Sequence, residues 1–370
     1  MTKEILHVKG NAPMIMNHLR ILTKLVAPKE GNIAVRVYKS NFYIYSMNDM
    51  ATYQSLVPSD LAEGDTTVGI SIDAFRTILT GRKEVDIELV NGMLVIKEGK
   101  YKAEIPTTDA VEVQAIADKL ANTKDEKTTT WDVDEDHSKW LKNAISEVSL
   151  KVPDSLGAFM PLTVKVSKKG AFVICYDATH ISFIMAKAED ISGDLELTMP
   201  TDMLASVFDA FCGHKFKLIV SESNLMVKSK LMTITLQLPI TDSYIDIKKL
   251  FEVAKSSIDS DGDWMSIDRS ALSRFLDSCR AVASKERSEL VVSSDGKKAQ
   301  FTVRTVNGNI TQIFDTKSKK VKFKIDFGYF DEAFRKGSSD SVEFKVIGDS
   351  SLVMQGKSKN GWSVISLNGD

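Results

Sequence analysis

The sequence predicts an α+β protein of three tandem domains, each a duplicated β-α-β-β-β unit with two helices on one face of antiparallel sheets. Three landmarks recur in the same order along the 370 residues. A strand-like run occurs as VDIELV at 85–90, KFKLIV at 215–220 and VEFKVI at 342–347. A short amphipathic segment precedes each run, and a longer helical segment opens each repeat. Self-similarity at a fixed period indicates repeated structural units, and a period of roughly 125 residues is the size of a domain.

Polar stretches separate the three repeats. Ala117–Lys127 and Ala254–Asp263 are rich in charged and small residues, as is typical of linkers. We therefore expect domains at residues 1–125, 126–258 and 259–370.

Local patterns predict each element of the first repeat. In chain order these are strand 5–8, helix 13–26, strands 32–38, 42–48 and 52–58, a strand beginning near 66, helix 73–80, and strands 85–90, 93–97 and 101–105. Asn91-Gly92 between alternating apolar residues is the strongest turn signal, because this dipeptide favours a two-residue hairpin. The other repeats follow the same plan, with turns at Lys169-Gly170 and Asp295-Gly296. Two helices per repeat cannot cover both faces of so much sheet, so both should lie on one face.

Composition limits the function classes. At 43% hydrophobic and 26% charged residues the chain is typical of soluble globular proteins. No apolar segment suits a signal peptide or a membrane span, so we expect a cytoplasmic protein of a bacterial or phage-infected cell. Cys175, Cys212 and Cys279 occur singly among apolar neighbours, which indicates buried thiols in a reducing compartment. With a net charge of −2, any contact with DNA requires that basic residues be segregated onto one face.

Motifs for catalysis and metal binding are absent from the sequence. Asp259, Asp261 and Asp263 imitate the start of a calcium loop, but the glycine and the final glutamate are misplaced. Gly356-Lys357-Ser358 lacks the first glycine of a P-loop and the strand-to-helix context. The five histidines never occur at metal-ligand spacing. We therefore expect no enzyme activity, no cofactor and no metal site.

Segments at the ends of the first two repeats carry a family resemblance. VDIELVNGMLVIKEGKYKAEIPTTDA and KLIVSESNLMVKSKLMTITLQLPITDSYIDI resemble the closing strands of the first two domains of the bacterial-type DNA polymerase sliding clamp, the β clamp. CYDATHISFIMAKA is similar to the Asp-Gly-His segment of that family, with Asp177 in place but Ala178-Thr179 where a glycine is expected. The ending WSVISLNGD departs from the family's short Met-Pro-rich tail, which suggests a phage or otherwise distant member.

The resemblance implies a ring-shaped processivity factor without enzyme activity or cofactor. In the family, two three-domain chains close a ring whose helices line the central hole, and the ring encircles duplex DNA and tethers the replicative polymerase. The implied partners are double-stranded DNA without sequence preference, a DNA polymerase and a clamp loader that dock through peptide motifs, and a second copy of the chain. An alternative remains open: a non-enzymatic β-repeat structural or binding protein of a virion.

Basic residues on the predicted helices are the candidates for facing DNA. Arg20 and Lys24, for example, lie away from the apolar stripe that contains Ile15, Leu19 and Leu22. The full predicted set is Arg20, Lys24, Arg76, Arg82, Lys83, Lys139, Lys142, Arg274, Arg280 and Arg335.

Two further surfaces are implied by the resemblance. An apolar groove for partner peptides would contain Met160, Ile181, Phe183, Pro239, Ile240, Tyr244, Ile245, Val364, Ser366 and Leu367. The seam between two chains would join Tyr101 and Ala103 to Cys279 and Val282.

Overall fold

The computed structural model describes residues 5–26, 31–122, 128–150, 160–187, 191, 193–238, 246–283, 288–306, 308–337 and 341–367. The first repeat contains β1 (Leu6–Asn11), α1 (Ala12–Leu25), β2 (Asn32–Tyr38), β3 (Asn41–Met47), β4 (Ala51–Val57), β5 (Leu61–Gly64), β6 (Thr66–Ser71), α2 (Ile72–Leu79), β7 (Glu84–Val90), β8 (Met93–Glu98) and β9 (Tyr101–Pro106). Helix α3 (Val111–Asn122) follows. The second contains β10 (Thr129–Val133), α4 (Glu135–Val148), β11 (Pro161–Ser167), β12 (Gly170–Tyr176), β13 (His180–Lys187), β14 (Leu195–Pro200), α5 (Thr201–Ala210), β15 (Phe216–Val220), β16 (Asn224–Lys228) and β17 (Met232–Gln237). Helix α6 (Ile247–Asp259) follows. The third contains β18 (Asp263–Asp268), α7 (Arg269–Val282), β19 (Glu289–Ser294), β20 (Lys298–Thr305), β21 (Gly308–Asp315), β22 (Val321–Asp326), α8 (Phe327–Lys336), β23 (Ser341–Ile347), β24 (Ser351–Gln355) and β25 (Gly361–Ser366).

This order confirms the predicted duplication. Each half-repeat runs strand, helix and three strands, as in β1-α1-β2-β3-β4 and β6-α2-β7-β8-β9, and β5 is an addition to the first repeat. All strand pairings in the described residues are antiparallel. The first strand of each half pairs with the sheet of the other half, as β1 does with β7 and β6 with β2.

By its internal packing the chain divides into two compact units. The first comprises residues 1–139 and 206–240, with a five-stranded sheet β5-β1-β7-β8-β9 and an eight-stranded sheet β10-β15-β16-β17-β4-β3-β2-β6. The second comprises residues 140–205 and 241–370, with an eight-stranded sheet β14-β11-β12-β13-β25-β24-β23-β18 and a four-stranded sheet β21-β20-β19-β22. Both eight-stranded sheets combine strands of two repeats, so the division at residues 125 and 258 stays a prediction.

Helix ends and apolar spacing explain the repeat helices. Asn11 caps α1 by accepting a hydrogen bond from the Met14 amide at 3.0 Å, and Asp268 caps α7 through the Ala271 amide at 2.7 Å. The buried stripe of α7 contains Leu272, Phe275, Leu276 and Cys279. None of the helices in the described part of the chain is both long and apolar enough to span a bilayer.

Helices α3 and α6 correct the prediction of simple linkers. Tyr53 on β4 donates a hydrogen bond to the His18 carbonyl of α1, whereas Tyr43 and Tyr45 on β3 pack on the α3 side with Ala117. Residues Ser46 and Tyr53 pair across the two strands, so Tyr45 points to the opposite face. Helix α3 therefore covers the sheet face opposite α1.

Helix α6 covers one face of the eight-stranded sheet of the second unit. The Phe251 ring stacks on Phe172 at 5.2 Å and meets Phe183 edge-to-face at 5.5 Å. At the other end the buried Lys345 ammonium donates hydrogen bonds to the carbonyls of Ile258 and Ser260. A cation at a helix C-terminus is favoured by the helix dipole, so this contact fixes the end of α6.

We expect Phe251→Ala to lower the free energy of unfolding by about 2–3 kcal/mol, less than for a fully buried phenylalanine because the ring is only half-buried. Val253→Ala on the same helix is the control, because Val253 is 58% exposed, and it should change stability by about 0.5 kcal/mol or less. Chemical denaturation measures both. Equal effects of the two substitutions would contradict the packing of α6.

Candidate nucleic-acid and partner surfaces

The basic residues on α1 lie outside the core of the first unit. Arg20 and Lys24 are exposed, while Ile15, Leu19 and Leu22 are fully buried. The Lys24 ammonium pairs with Asp209 of α5 at 2.6 Å. Arg20 therefore has the more available positive charge of the two.

The residues after α2 differ in availability. Arg82 is half-buried, lies over the Tyr101 ring at 3.5 Å and pairs with Glu98 at 3.3 Å. Lys83 is exposed, and its backbone amide donates a hydrogen bond to the same Glu98. The pKa of Glu98 is lowered by this backbone hydrogen bond and by Arg82. Arg82 is thus held at the sheet edge, and Lys83 is the freer cation.

On α4, acidic neighbours reduce the positive charge. Lys139 is exposed and pairs with Asp136 at 3.2 Å, one turn earlier. Lys142 is half-buried. The acidic first turn of α4, with Glu135 and Asp136, is favoured by the helix dipole, in agreement with the expectation of a helix start.

A shared carboxylate organises α7 and α8. Asp331 is buried and accepts two hydrogen bonds from Arg280, of which the one from Nε is 2.8 Å long, and one of 3.1 Å from Arg335 Nε. Arg280 also contacts Asp277, and these carboxylates raise its pKa, the Asp331 hydrogen bond most strongly. Arg280 is consequently a packing residue more than an available cation, and Arg274 is the exposed basic residue of α7.

Four members of the predicted set remain available. Across the described ranges, no carboxylate lies within ion-pair distance of Arg20, Arg76, Lys83 or Arg274.

The predicted groove is largely covered. Phe183 and Val364 are buried beneath α6, and Met160 is also buried, so these three side chains do not line an open groove. Ser366 is exposed, and Ile181 and Leu367 are half-buried. Pro239, Ile240, Tyr244 and Ile245 lie outside the described residues. The covering helix had a sequence signal, because Ile247, Leu250, Phe251, Ala254 and Ile258 recur at helical spacing across the expected boundary.

The segment expected to contain glycine forms its turn without one. Asp177 accepts hydrogen bonds at 2.7 Å from the amides of Thr179 and His180, and neither Ala178 nor Thr179 has a positive φ. His180 then enters β13 and packs edge-to-face on Tyr329 at 5.8 Å. The turn residues Ala178 and Thr179 therefore fit this backbone.

The residues predicted for the seam occupy two environments. Tyr101 and Ala103 are half-buried on β9, the edge strand of the five-stranded sheet. Val282 at the end of α7 is 40% exposed. Cys279 is fully buried in the core of the second unit, so its side chain offers no surface to another chain.

We expect stability to fall in mild acid because of His180. Burial, with a smaller contribution from Lys336, lowers the pKa of His180 well below its usual value, and neither ring nitrogen has a hydrogen-bond partner within the described residues. The unfolded chain takes up a proton near pH 6.5 that the native imidazole does not bind, so the free energy of unfolding decreases below this pH by up to about 1.4 kcal/mol per pH unit. Burial also lowers the pKa of His18, which adds to the effect.

Urea denaturation between pH 7.5 and 5.5 tests this expectation. His180→Leu should flatten the pH dependence, whereas His214→Leu, at an exposed turn residue, should leave it unchanged. A profile of His180→Leu identical to that of the original chain would contradict the assignment.

Comparison with known proteins yields matches among solved structures. No protein-family model and no curated protein sequence matches the chain. A putative DNA polymerase III β subunit from Eubacterium rectale aligns with a TM-score of 0.80 at 12% identity, covering 99% of this chain and 100% of the other. The DNA polymerase III β subunit from Thermotoga maritima gives 0.80 at 10% identity with the same coverage, and that from Borrelia burgdorferi gives 0.79 at 16% with full coverage of both chains. Over its whole length, the chain therefore has the three-domain fold of DNA polymerase III β subunits.

Proposed function

We propose that the chain is a DNA sliding clamp, a non-enzymatic ring of two copies that encircles duplex DNA and tethers a replicative polymerase. The full-length fold similarity supports this function. The observation that carries it is a pattern of strand joins between repeats, which leaves one complementary pair of edges open.

Two joins of the same kind occur within the chain. The last strand of the second repeat, β17, pairs with β4 of the first, with Thr233 opposite Gln54. The last strand of the third repeat, β25, pairs with β13 of the second, with Trp362 opposite Phe183. In each case the last strand of a repeat pairs with the last strand of the preceding repeat's first half.

The same rule predicts a join between two copies. The last strand of the first repeat is β9, and the last strand of the third repeat's first half is β21; both are edge strands. Pairing β9 of one copy with β21 of another, twice, closes a ring of six domains through two equivalent interfaces. Tyr101, Ala103 and Val282 are the seam residues that remain from the sequence prediction.

Available cations on and beside the repeat helices supply the contact with DNA. Arg20, Arg76, Lys83 and Arg274 carry positive charge without acidic partners in the described part of the chain. Phosphate contacts of this kind are independent of sequence, as movement along a duplex requires.

A peptide of the polymerase or the clamp loader would dock beside the C-terminal strand. Ile181, Ser366 and Leu367 are the accessible members of the predicted groove in the described residues. Residues 239–245 would complete it.

The predicted seam has a register that can be tested by cross-linking. Lys102 holds the position in β9 that Thr233 holds in β17, and Thr311 holds the position in β21 that Gln54 holds in β4. We expect the variant with Lys102→Cys and Thr311→Cys to form a disulfide-linked species of twice the 41.0 kDa chain mass on oxidation. Non-reducing electrophoresis measures it.

The register control replaces Thr311→Cys by Ile313→Cys. Ile313 is exposed and lies two residues further along the same strand, too far from Lys102 for the geometry of a disulfide. Equal cross-linking of both variants, or a purely monomeric mass by sedimentation, would contradict the β9–β21 join.

DNA binding should depend on the helix cations. Replacing Arg20, Arg76, Lys83 and Arg274 by Ala should reduce the salt dependence of binding to circular duplex DNA, by up to about 0.9 in log–log slope for each phosphate interaction removed. The matched control replaces Lys298, Arg304, Lys322 and Lys324, which alternate with the buried residues of the four-stranded sheet and lie on the face opposite α7 and α8. The control should leave the slope nearly unchanged.

Topology separates a clamp from a surface binder. Protein loaded on circular DNA should be released after linearisation, because an encircling ring slides off a free end. Retention on linear DNA, or equal slopes for the helix and control variants, would favour the alternative of a β-repeat binding protein.

A further inference from the structure

Three side chains from distant parts of the sequence meet on the solvent face of the five-stranded sheet. His7 on β1 lies directly opposite Glu88 on β7, and Asp86 lies two residues before Glu88 on the same face. One ligand atom of each residue lies within 4.8 Å of the other two. His7 Nε2 is 2.8 Å from Asp86 Oδ1 and 3.8 Å from Glu88 Oε1.

The neighbours of this cluster hold its members in that arrangement. Lys9 pairs with the other oxygen of Asp86 at 3.5 Å, and Lys97 pairs with the other oxygen of Glu88 at 2.6 Å. Each carboxylate therefore has one oxygen directed at the imidazole and one neutralised by a lysine. On the opposite side of the ring, Glu63 Oε2 is 3.7 Å from His7 Nδ1.

These contacts give the cluster the character of a metal site. Three carboxylates and two ammonium groups leave one net negative charge when the imidazole is neutral, which favours a cation. A carboxylate facing the distal nitrogen of a histidine is the usual orienting partner of a zinc-bound imidazole. The side chains of His7, Asp86 and Glu88 are only 22–31% exposed, so bulk water has limited access to the cluster.

We propose that His7 Nε2, Asp86 and Glu88 bind one Zn²⁺ ion, with water in the remaining coordination position. One imidazole nitrogen and two carboxylate oxygens suit zinc, whereas Mg²⁺ and Ca²⁺ prefer oxygen ligands alone. On binding, the imidazole proton moves to Nδ1 beside Glu63, and Nε2 offers its lone pair to the metal. Zinc then cross-links β1 to β7.

Local spacing in the sequence could not indicate this site. The histidine pattern contains no ligand pair, because the two carboxylates are 79 and 81 residues further along the chain. Only the β1–β7 register brings them together. The site does not depend on DNA or on a second copy, so its test is separate from that of the proposed function.

Titration of the full chain with zinc chloride against a chromophoric chelator tests the proposal. We expect one Zn²⁺ per chain. His7→Ala should weaken binding at least tenfold, and Glu63→Gln, which removes only the orienting carboxylate, by about 10–100-fold. The control His214→Ala removes an exposed histidine outside the cluster and should bind zinc like the original chain.

Two additional measurements make the outcome decisive. Circular dichroism checks that the variants are folded, and zinc should raise the melting temperature of the original chain but not of His7→Ala. Equal zinc affinity of the original chain and folded His7→Ala would overturn the proposal. Full displacement of zinc by equimolar Mg²⁺ would also overturn it, because the cluster would then be only a set of surface carboxylates.

Discussion

Hydrogen bonding at sheet edges is the constraint on which the rest of the structure depends. An exposed strand edge presents unpaired amide and carbonyl groups, and these groups must find partners. The chain meets this requirement twice by joining β17 to β4 and β25 to β13, which turns half-sheets of neighbouring repeats into continuous eight-stranded sheets. Where no preceding or following repeat exists, β9 and β21 keep an open side. The proposed assembly is the same solution applied between chains.

Electrostatics on the helices fits weak contact better than tight binding. The net charge is −2, and several basic side chains on the helices already have acidic partners, such as Lys24 with Asp209 and Arg280 with Asp331. These pairs orient the helices against each other and reduce the positive field. The few cations without such partners would hold a duplex loosely, which is compatible with movement along it.

Much of the fold could be predicted from the sequence, because alternation and turn residues are local signals. Strand β2 has the predicted bounds, and the hairpin at Asn91-Gly92 forms as its dipeptide indicates. Helices α3 and α6 could not be told from linkers, because their exposed faces are polar and small. The site residues were harder, since their environment depends on partners far along the chain. Cys279 lies in the core, and the partner of Arg280 is 51 residues away.

The single lysine at the end of α6 has a consequence for local motion. Lys345 is 4% exposed and is the side chain that binds the last carbonyls of the helix, while Val253 and its neighbours face solvent. The helix lies on a sheet whose own hydrogen bonds are complete without it. Its detachment is therefore a sub-global opening, a foldon separate from the sheet, whose amides exchange with solvent while β12, β13, β24 and β25 stay protected. Acetylation of Lys345, which removes its charge, would shift that opening equilibrium without altering a strand.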